Sequence, residues 1–147
     1  MLKYDNLQLD QQLCFSLYSA ANSVTRLYRK LLHPYNLTYP QYLVLLVLWQ
    51  QDGVAIKDVI GQLNMDSGTL SPIIKRLHQA GFIRKERIDE DERIVRLFLT
   101  DKAKELEAAA AEVQTVFKNH THLSNAQFTE LLHSLNTLNQ QLNTPVK

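Results

Sequence analysis

The sequence predicts a mainly α-helical fold carrying one small β-hairpin, and three observations predict it. Apolar residues recur at helical spacing near both ends of the chain, and residues 41–51 are apolar on almost every side. Between them, 66–99 reads as a helix rich in small polar residues, a break at Gly81, and two runs of alternating apolar and charged residues around Asp89-Glu90-Asp91-Glu92. At 147 residues and 45% hydrophobic, the chain is long enough to bury a core, and a single domain over 1–147 is expected.

Taken in order, Leu13, Leu17, Ala20, Val24, Leu27 and Leu31 alternate at spacings of four and three, the seam of a helix over about 9–32. Pro34 and Asn36 end that pattern. Thr38-Tyr39-Pro40 then opens a new helix, with a cap at Thr38 or Tyr39 and Pro40 in its first turn. The run 41–51 (Leu43, Val44, Leu45, Leu46, Val47, Leu48, Trp49) is the expected buried centre. Asp52-Gly53 closes it, and a shorter helix over about 56–63 leads through Asn64-Met65 into a helix over about 66–80. Pro72 leaves the start of that helix open between Asp66 and Thr69 as the cap. A hairpin follows at about 82–99, then a Thr100-capped helix to about 119. Ser124 opens a last helix whose Phe128, Leu131, Leu132, Leu135, Leu138 and Leu142 form one stripe. Helices 9–33 and 100–142 carry more apolar surface than a small domain covers, which predicts a helical dimerisation region.

Several classes of function are set aside. No run of about eighteen uncharged apolar residues exists and no signal-peptide pattern opens the chain, so neither membrane insertion nor secretion is expected, and the cytoplasm is the expected address. One cysteine, Cys14, excludes an intrachain disulfide. There is no Gly-rich phosphate loop and no Gly-x-Ser-x-Gly elbow. His120 and His122 lack the four-residue spacing that puts two ligands on one helical face, so no metal and no cofactor are expected.

A net charge of +1 provides no bulk attraction to nucleic acid, so any such binding must come from local clusters. One exists. Ser67, Gly68, Thr69 and Ser71 begin the 66–80 helix with small groups that permit close approach and offer hydroxyls, and Lys75 and Arg76 extend the face with cations. Arg84, Arg87 and Arg93 punctuate the hairpin, where an arginine near the tip suits a narrow minor groove and Asp91 is placed to orient it. Arg93 taken alone fits a solvated charged hairpin better. Short helix, turn and second helix followed by a hairpin is, as a whole, the layout of a DNA reader.

That layout resembles the MarR-type winged-helix repressors over essentially the whole chain, through Asp66-Ser67-Gly68-Thr69-Leu70-Ser71-Pro72 and the wing motif Asp91-Glu92-Arg93. The resemblance implies a winged helix-turn-helix over 39–99, with recognition helix 66–80 and wing 82–99, in a homodimer on pseudo-palindromic double-stranded operator DNA. Gln12-Leu13-Cys14-Phe15-Ser16-Leu17-Tyr18 and Leu37-Thr38-Tyr39-Pro40-Gln41-Tyr42 further resemble the one-cysteine branch that senses organic hydroperoxides, which includes staphylococcal global regulators.

Free cysteine is usually an inert buried hydrophobe, and composition alone favours that reading of Cys14. A reactive cysteine needs helix-terminal N–H groups, a cation or hydrogen-bond donors, and Cys14 falls in the early turns of the first helix. Tyr28 is fourteen residues further along, roughly 21 Å at a helical rise, so it cannot touch the Cys14 of its own chain. The resemblance implies that Tyr28 and Tyr39 of the other subunit bond the sulfur, with Tyr18 a third neighbour. Oxidation of Cys14 would then release DNA, ending in a mixed disulfide with a low-molecular-weight thiol or in overoxidation. The alternatives are a MarR-type repressor relieved by a small phenolic or drug-like ligand and, less favoured because no second cysteine resolves a sulfenic acid, a thiol peroxidase.

Overall fold

Residues 41–51 set the fold, because a helix apolar on every side must be covered on every side. In the computed structural model, which describes Met1, 3–87 and 93–146, this helix is α2 (Tyr39–Gln50), and its Tyr42, Val44, Leu45, Val47 and Leu48 are buried. Thr38 caps it in a capping box: the Thr38 hydroxyl accepts from the Gln41 amide (3.3 Å) while the Gln41 side chain accepts from the Thr38 amide (3.0 Å).

Around α2 pack α1 (Leu13–Leu32), α3 (Ile56–Leu63), α4 (Ser67–Gln79) and the strand β3 (Arg96–Leu99). The other strands are β1 (Val54–Ala55) and β2 (Ile83–Glu86), and the antiparallel order is β1-β3-β2. Leu97 faces Val54 on one side and Lys85 on the other, and Leu99 faces Ile83. Alternation puts Leu97 and Leu99 into the core and leaves Arg96 and Phe98 half-buried. Asp52 accepts from the Leu99 amide (2.8 Å), and the Arg96 guanidinium donates to the Gly53 carbonyl (3.0 Å), so the turn after α2 is fastened to the central strand. Gly53, at φ 74°, lies so close to the Phe98 ring that a Cβ would meet it at 2.9 Å.

After β3, Thr100 caps α5 (Asp101–Glu105), and α6 (Glu107–His120) and α7 (Asn125–Leu142) follow. Trp49 donates to the Ala103 carbonyl (3.0 Å) and Tyr42 to that of Ala110 (3.4 Å), so the polar atoms of the half-buried Trp49 and the buried Tyr42 find acceptors. The chain divides into two compact units, Met1–Ala111 and Glu112–Lys147. In the second, Ser124 caps α7 in a capping box with Gln127, and the Lys118 ammonium lies over the Phe128 ring. No residue of α7 is buried, and Leu131, Leu132 and Leu142 are exposed.

Several expectations change. The first α-helix starts at Leu13 rather than 9, because Gln12 is extended and its side chain ties back to the Asn6 and Gln8 carbonyls; residues Leu9–Gln11 are a separate 3-10 turn. The buried residues of α1 are Tyr28 and Leu32, while the Leu13 end of the seam is exposed. Strand β1 was not expected, since two residues carry no periodicity. The helix expected over 100–119 is interrupted at Leu106, whose amide bonds three residues back to Ala103 in a tighter turn. The acidic turn Asp89-Glu90-Asp91-Glu92 lies outside the described residues.

Replacing Leu45, fully buried, by alanine is expected to cost about 2–5 kcal/mol in denaturant unfolding. Thr38→Ala, which removes one cap, is expected to cost about 1 kcal/mol in the same measurement.

Candidate nucleic-acid interface and cysteine site

Helix α4 is capped by Asp66, whose carboxylate accepts from the Thr69 amide at 2.7 Å, and this excludes Thr69 as the cap. Pro72 therefore stands inside the helix, where the Gly68 carbonyl loses its bond; both residues are exposed to solvent. Hydrogen bonds from the Thr69 amide, then from its side chain, hold the Asp66 carboxyl below its ordinary range. Thr69 is thus committed partly to the cap. Asn64, left-handed at φ 53°, makes the turn that joins α3 to α4.

The far end of α4 closes in a Schellman motif: the Phe82 amide bonds the Leu77 carbonyl (3.0 Å), the Gly81 amide that of His78 (3.1 Å), and Gly81 is left-handed at φ 80°. Leu70, Ile74 and Leu77 are buried. Ser67, Gly68, Thr69, Ser71, Lys75 and Arg76 are all exposed. Measured at 100° per residue from the buried face, the outermost stripe is Gly68, Pro72, Lys75 and Gln79, with Ser71 and Arg76 on its flanks. Gln79 and Pro72 were missed; the period of Leu70, Ile74 and Leu77 was the signal that would have placed them.

In the hairpin, Arg84 forms an ion pair with Glu86 and lies over the Phe98 ring (5.6 Å), so it is engaged within the sheet. Arg87 and Arg93 are exposed on either side of the undescribed 88–92, and Asp91 falls within that gap.

Cys14 is the second residue of α1 and is exposed, with Tyr18 exposed one turn on. Tyr28 is buried near the other end of the helix and stacks on Tyr39 (ring centroids 4.6 Å), with Tyr42 at 5.6 Å. The structure brings Tyr28 and Tyr39 together and leaves Cys14 and Tyr18 apart from them. Burial, then the neighbouring Tyr42, pushes the Tyr39 phenol above its ordinary value, so it is a protonated donor at neutral pH. A cavity of about 170 Å³ beside it is lined by Thr25, Arg29, Leu37, Thr38, Tyr39 and Pro40. Among the described residues no group of three or more potential metal ligands gathers, and no helix is long and apolar enough to cross a membrane.

A helix-turn-helix followed by a β-wing, with a small polar and basic outer face on the second helix, defines a winged-helix transcriptional regulator of the MarR type. Residues 26–109 match the family model described as transcriptional regulator SarA/Rot, and the chain belongs to that family. It is 39% identical to the organic hydroperoxide resistance transcriptional regulator of Bacillus subtilis over 95% of both chains. It is 52% identical to the HTH-type transcriptional regulator TtmR of Methylorubrum extorquens over 69% of this chain, a match that spans only 52% of TtmR. Among solved structures, reduced AbfR bound to DNA superposes with a TM-score of 0.81 at 31% identity, covering 96% of each chain; AbfR is a protein of Staphylococcus epidermidis. The overoxidized, DNA-bound form and the disulfide form of AbfR are also similar, at TM-scores of 0.77 and 0.65. The fold and these relatives are those of regulators, not of enzymes, and the peroxidase alternative falls.

Asp66 supplies a pH test. Its folded-state carboxyl is depressed, so its contribution to capping is present above the unfolded value of about 4 and is lost as pH falls through the lower folded value. Protection of the Thr69 amide from exchange is expected to fall as pH drops below about 4. Asp66→Asn, which keeps an accepting oxygen without the charge, is expected to remove that pH dependence.

Proposed function

We propose that the chain is a homodimeric repressor that reads a pseudo-palindromic operator with α4 and its wing, and releases it when Cys14 is oxidised. The observation that carries this reading is the separation along α1 of an exposed Cys14 from a buried Tyr28, which stacks on the half-buried Tyr39 of α2. A donor pair and a thiol at opposite ends of one rod meet only across two chains, and the exposed Leu13, Phe15 and Tyr18 give that end of α1 an apolar surface to bury. The similarity to a regulator of organic hydroperoxide resistance supports the oxidant class.

The Cys14 thiolate attacks the terminal peroxide oxygen, the O–O bond breaks, and the leaving alkoxide takes a proton to become the alcohol, which leaves Cys14 as sulfenic acid. A low-molecular-weight thiol then condenses with it, expelling water and leaving a mixed disulfide. AbfR has been observed on DNA both reduced and overoxidized, which favours the mixed disulfide over overoxidation as the releasing form here. The added bulk displaces α1 from the partner's tyrosines, and α2, which begins at Tyr39 and packs on α4, transmits the change.

Relief by a small phenolic ligand is the second reading, favoured by the cavity that holds Arg29 beside Tyr39. An operator titration separates the two. Cys14→Ser is expected to bind DNA and to keep it under organic hydroperoxide plus thiol, whereas the parent lets go; release of both at the same dose, or release by salicylate alone, transfers the function to the cavity. Arg93→Ala is expected to weaken operator binding by about 1–3 kcal/mol with thermal stability unchanged. Lys75→Ala is expected to weaken all duplexes alike and to make the salt dependence shallower by about one unit.

A further inference from the structure

The last turn of a helix leaves carbonyls without intrahelical partners, and the way they are satisfied decides how firmly that end is held. In α4 the Schellman motif uses the carbonyls of Leu77 and His78. The Ala80, Gly81 and Phe82 carbonyls beyond it are all taken by the start of α5. The Lys102 ammonium donates to Ala80 (2.8 Å), the Thr100 hydroxyl to Gly81 (2.6 Å), and the Thr100 amide to Phe82 (3.1 Å). The same ammonium lies 4.4 Å above the Phe82 ring, and Phe82 itself is buried.

Lys102 is exposed, but its ammonium is directed at the negative end of the α4 dipole and at an aromatic face, rather than outward with the stripe that carries Lys75. Thr100 anchors two carbonyls through groups that already cap α5 and extend β3, whereas the lysine head is bonded to the end of α4. What it does is tie the C-terminal end of α4 to α5.

We propose that Lys102 is a positioning residue for operator reading: it touches no DNA, and it sets the angle of α4 by fastening its C-terminal end to the helix that continues into α6. The proposal rests on α4 being the recognition helix. A set angle matters because base-edge hydrogen bonds in the major groove tolerate little rotation, while phosphate contacts tolerate more. Loss of Lys102 should therefore erode discrimination more than general affinity.

The test uses the full chain and an operator duplex selected by the parent protein from random-sequence DNA, beside an unrelated duplex of equal length. Lys102→Met keeps an unbranched cover over Phe82 and removes the charge and the donor. Operator affinity is expected to fall about three- to tenfold with binding to the unrelated duplex and the salt slope unchanged, the Gly81 and Phe82 amides are expected to exchange faster, and Lys102→Arg is expected to restore both. Equal loss on both duplexes with a salt slope shallower by about one would make Lys102 a phosphate contact and overturn the proposal. So would a fall in thermal midpoint large enough to account for the loss by unfolding. Faster amide exchange with operator affinity intact would overturn it while leaving α4 as the recognition helix; a parent with no preference for any selected duplex would overturn that reading as well.

Discussion

The structure depends on burying one helix that has no polar face. α2 presents Tyr42, Val44, Leu45, Val47 and Leu48 in different directions, and no single neighbour can cover them, so α1, α3, α4 and β3 all dock on it. Burial of this kind has a polar cost that is met locally: the Tyr42 hydroxyl and the Trp49 indole reach the carbonyls of Ala110 and Ala103. Among the described residues no buried side-chain nitrogen or oxygen is left without a partner. One consequence is mechanical. Whatever moves α2 moves α4, the proposed recognition helix, because Leu70, Ile74 and Leu77 of α4 are part of the same core.

The second constraint is the small sheet. A two-residue strand has no stability of its own, yet β1 exists because β3 offers a free edge and because Asp52 and Arg96 fasten the preceding turn to it. Strand β3 therefore holds the turn after α2 on one side and the wing strand β2 on the other. Its last residues run directly into the Thr100 cap, and from there the chain reaches back to the end of α4. The recognition candidate is thus held at its N-terminus by Asp66, along its length by the core, and at its C-terminus by Gly81 with Thr100 and Lys102. Its outer face carries no such burden and is left to small and basic side chains.

The tyrosine stack joins α1 to α2. Tyr39 begins α2 and Tyr28 lies near the end of α1, so their contact is also the contact between those helices. A group that altered the stack would bear on the core's central helix at its first turn, which gives the proposed switch a short route from Tyr39 to α4.

The sequence by itself determined what short-range chemistry determines. Thr100 and Ser124 announce their helices because a cap and its amide lie within three residues, and Thr38-Tyr39-Pro40 announces α2 without deciding between Thr38 and Tyr39 as its cap. Gly81 announces the end of α4 because a left-handed residue is needed there, and the buried α2 is legible because no arrangement could expose so many apolar side chains. The exposed face of α4 was legible in part, in Ser67, Gly68, Thr69, Ser71, Lys75 and Arg76 but not in Pro72 and Gln79. Only the tertiary structure decided the rest. Asp66 rather than Thr69 starts α4, with its carboxylate on the Thr69 amide, and the helix carries Pro72 inside it. Arg84 turns to Glu86 and Phe98 because the register of β2 on β3 puts all three on one face. Strand β1, the break at Leu106 and the reach of Lys102 to Ala80 join residues whose partners are remote or whose geometry is set by packing, and no local pattern encodes a contact made across twenty or forty residues.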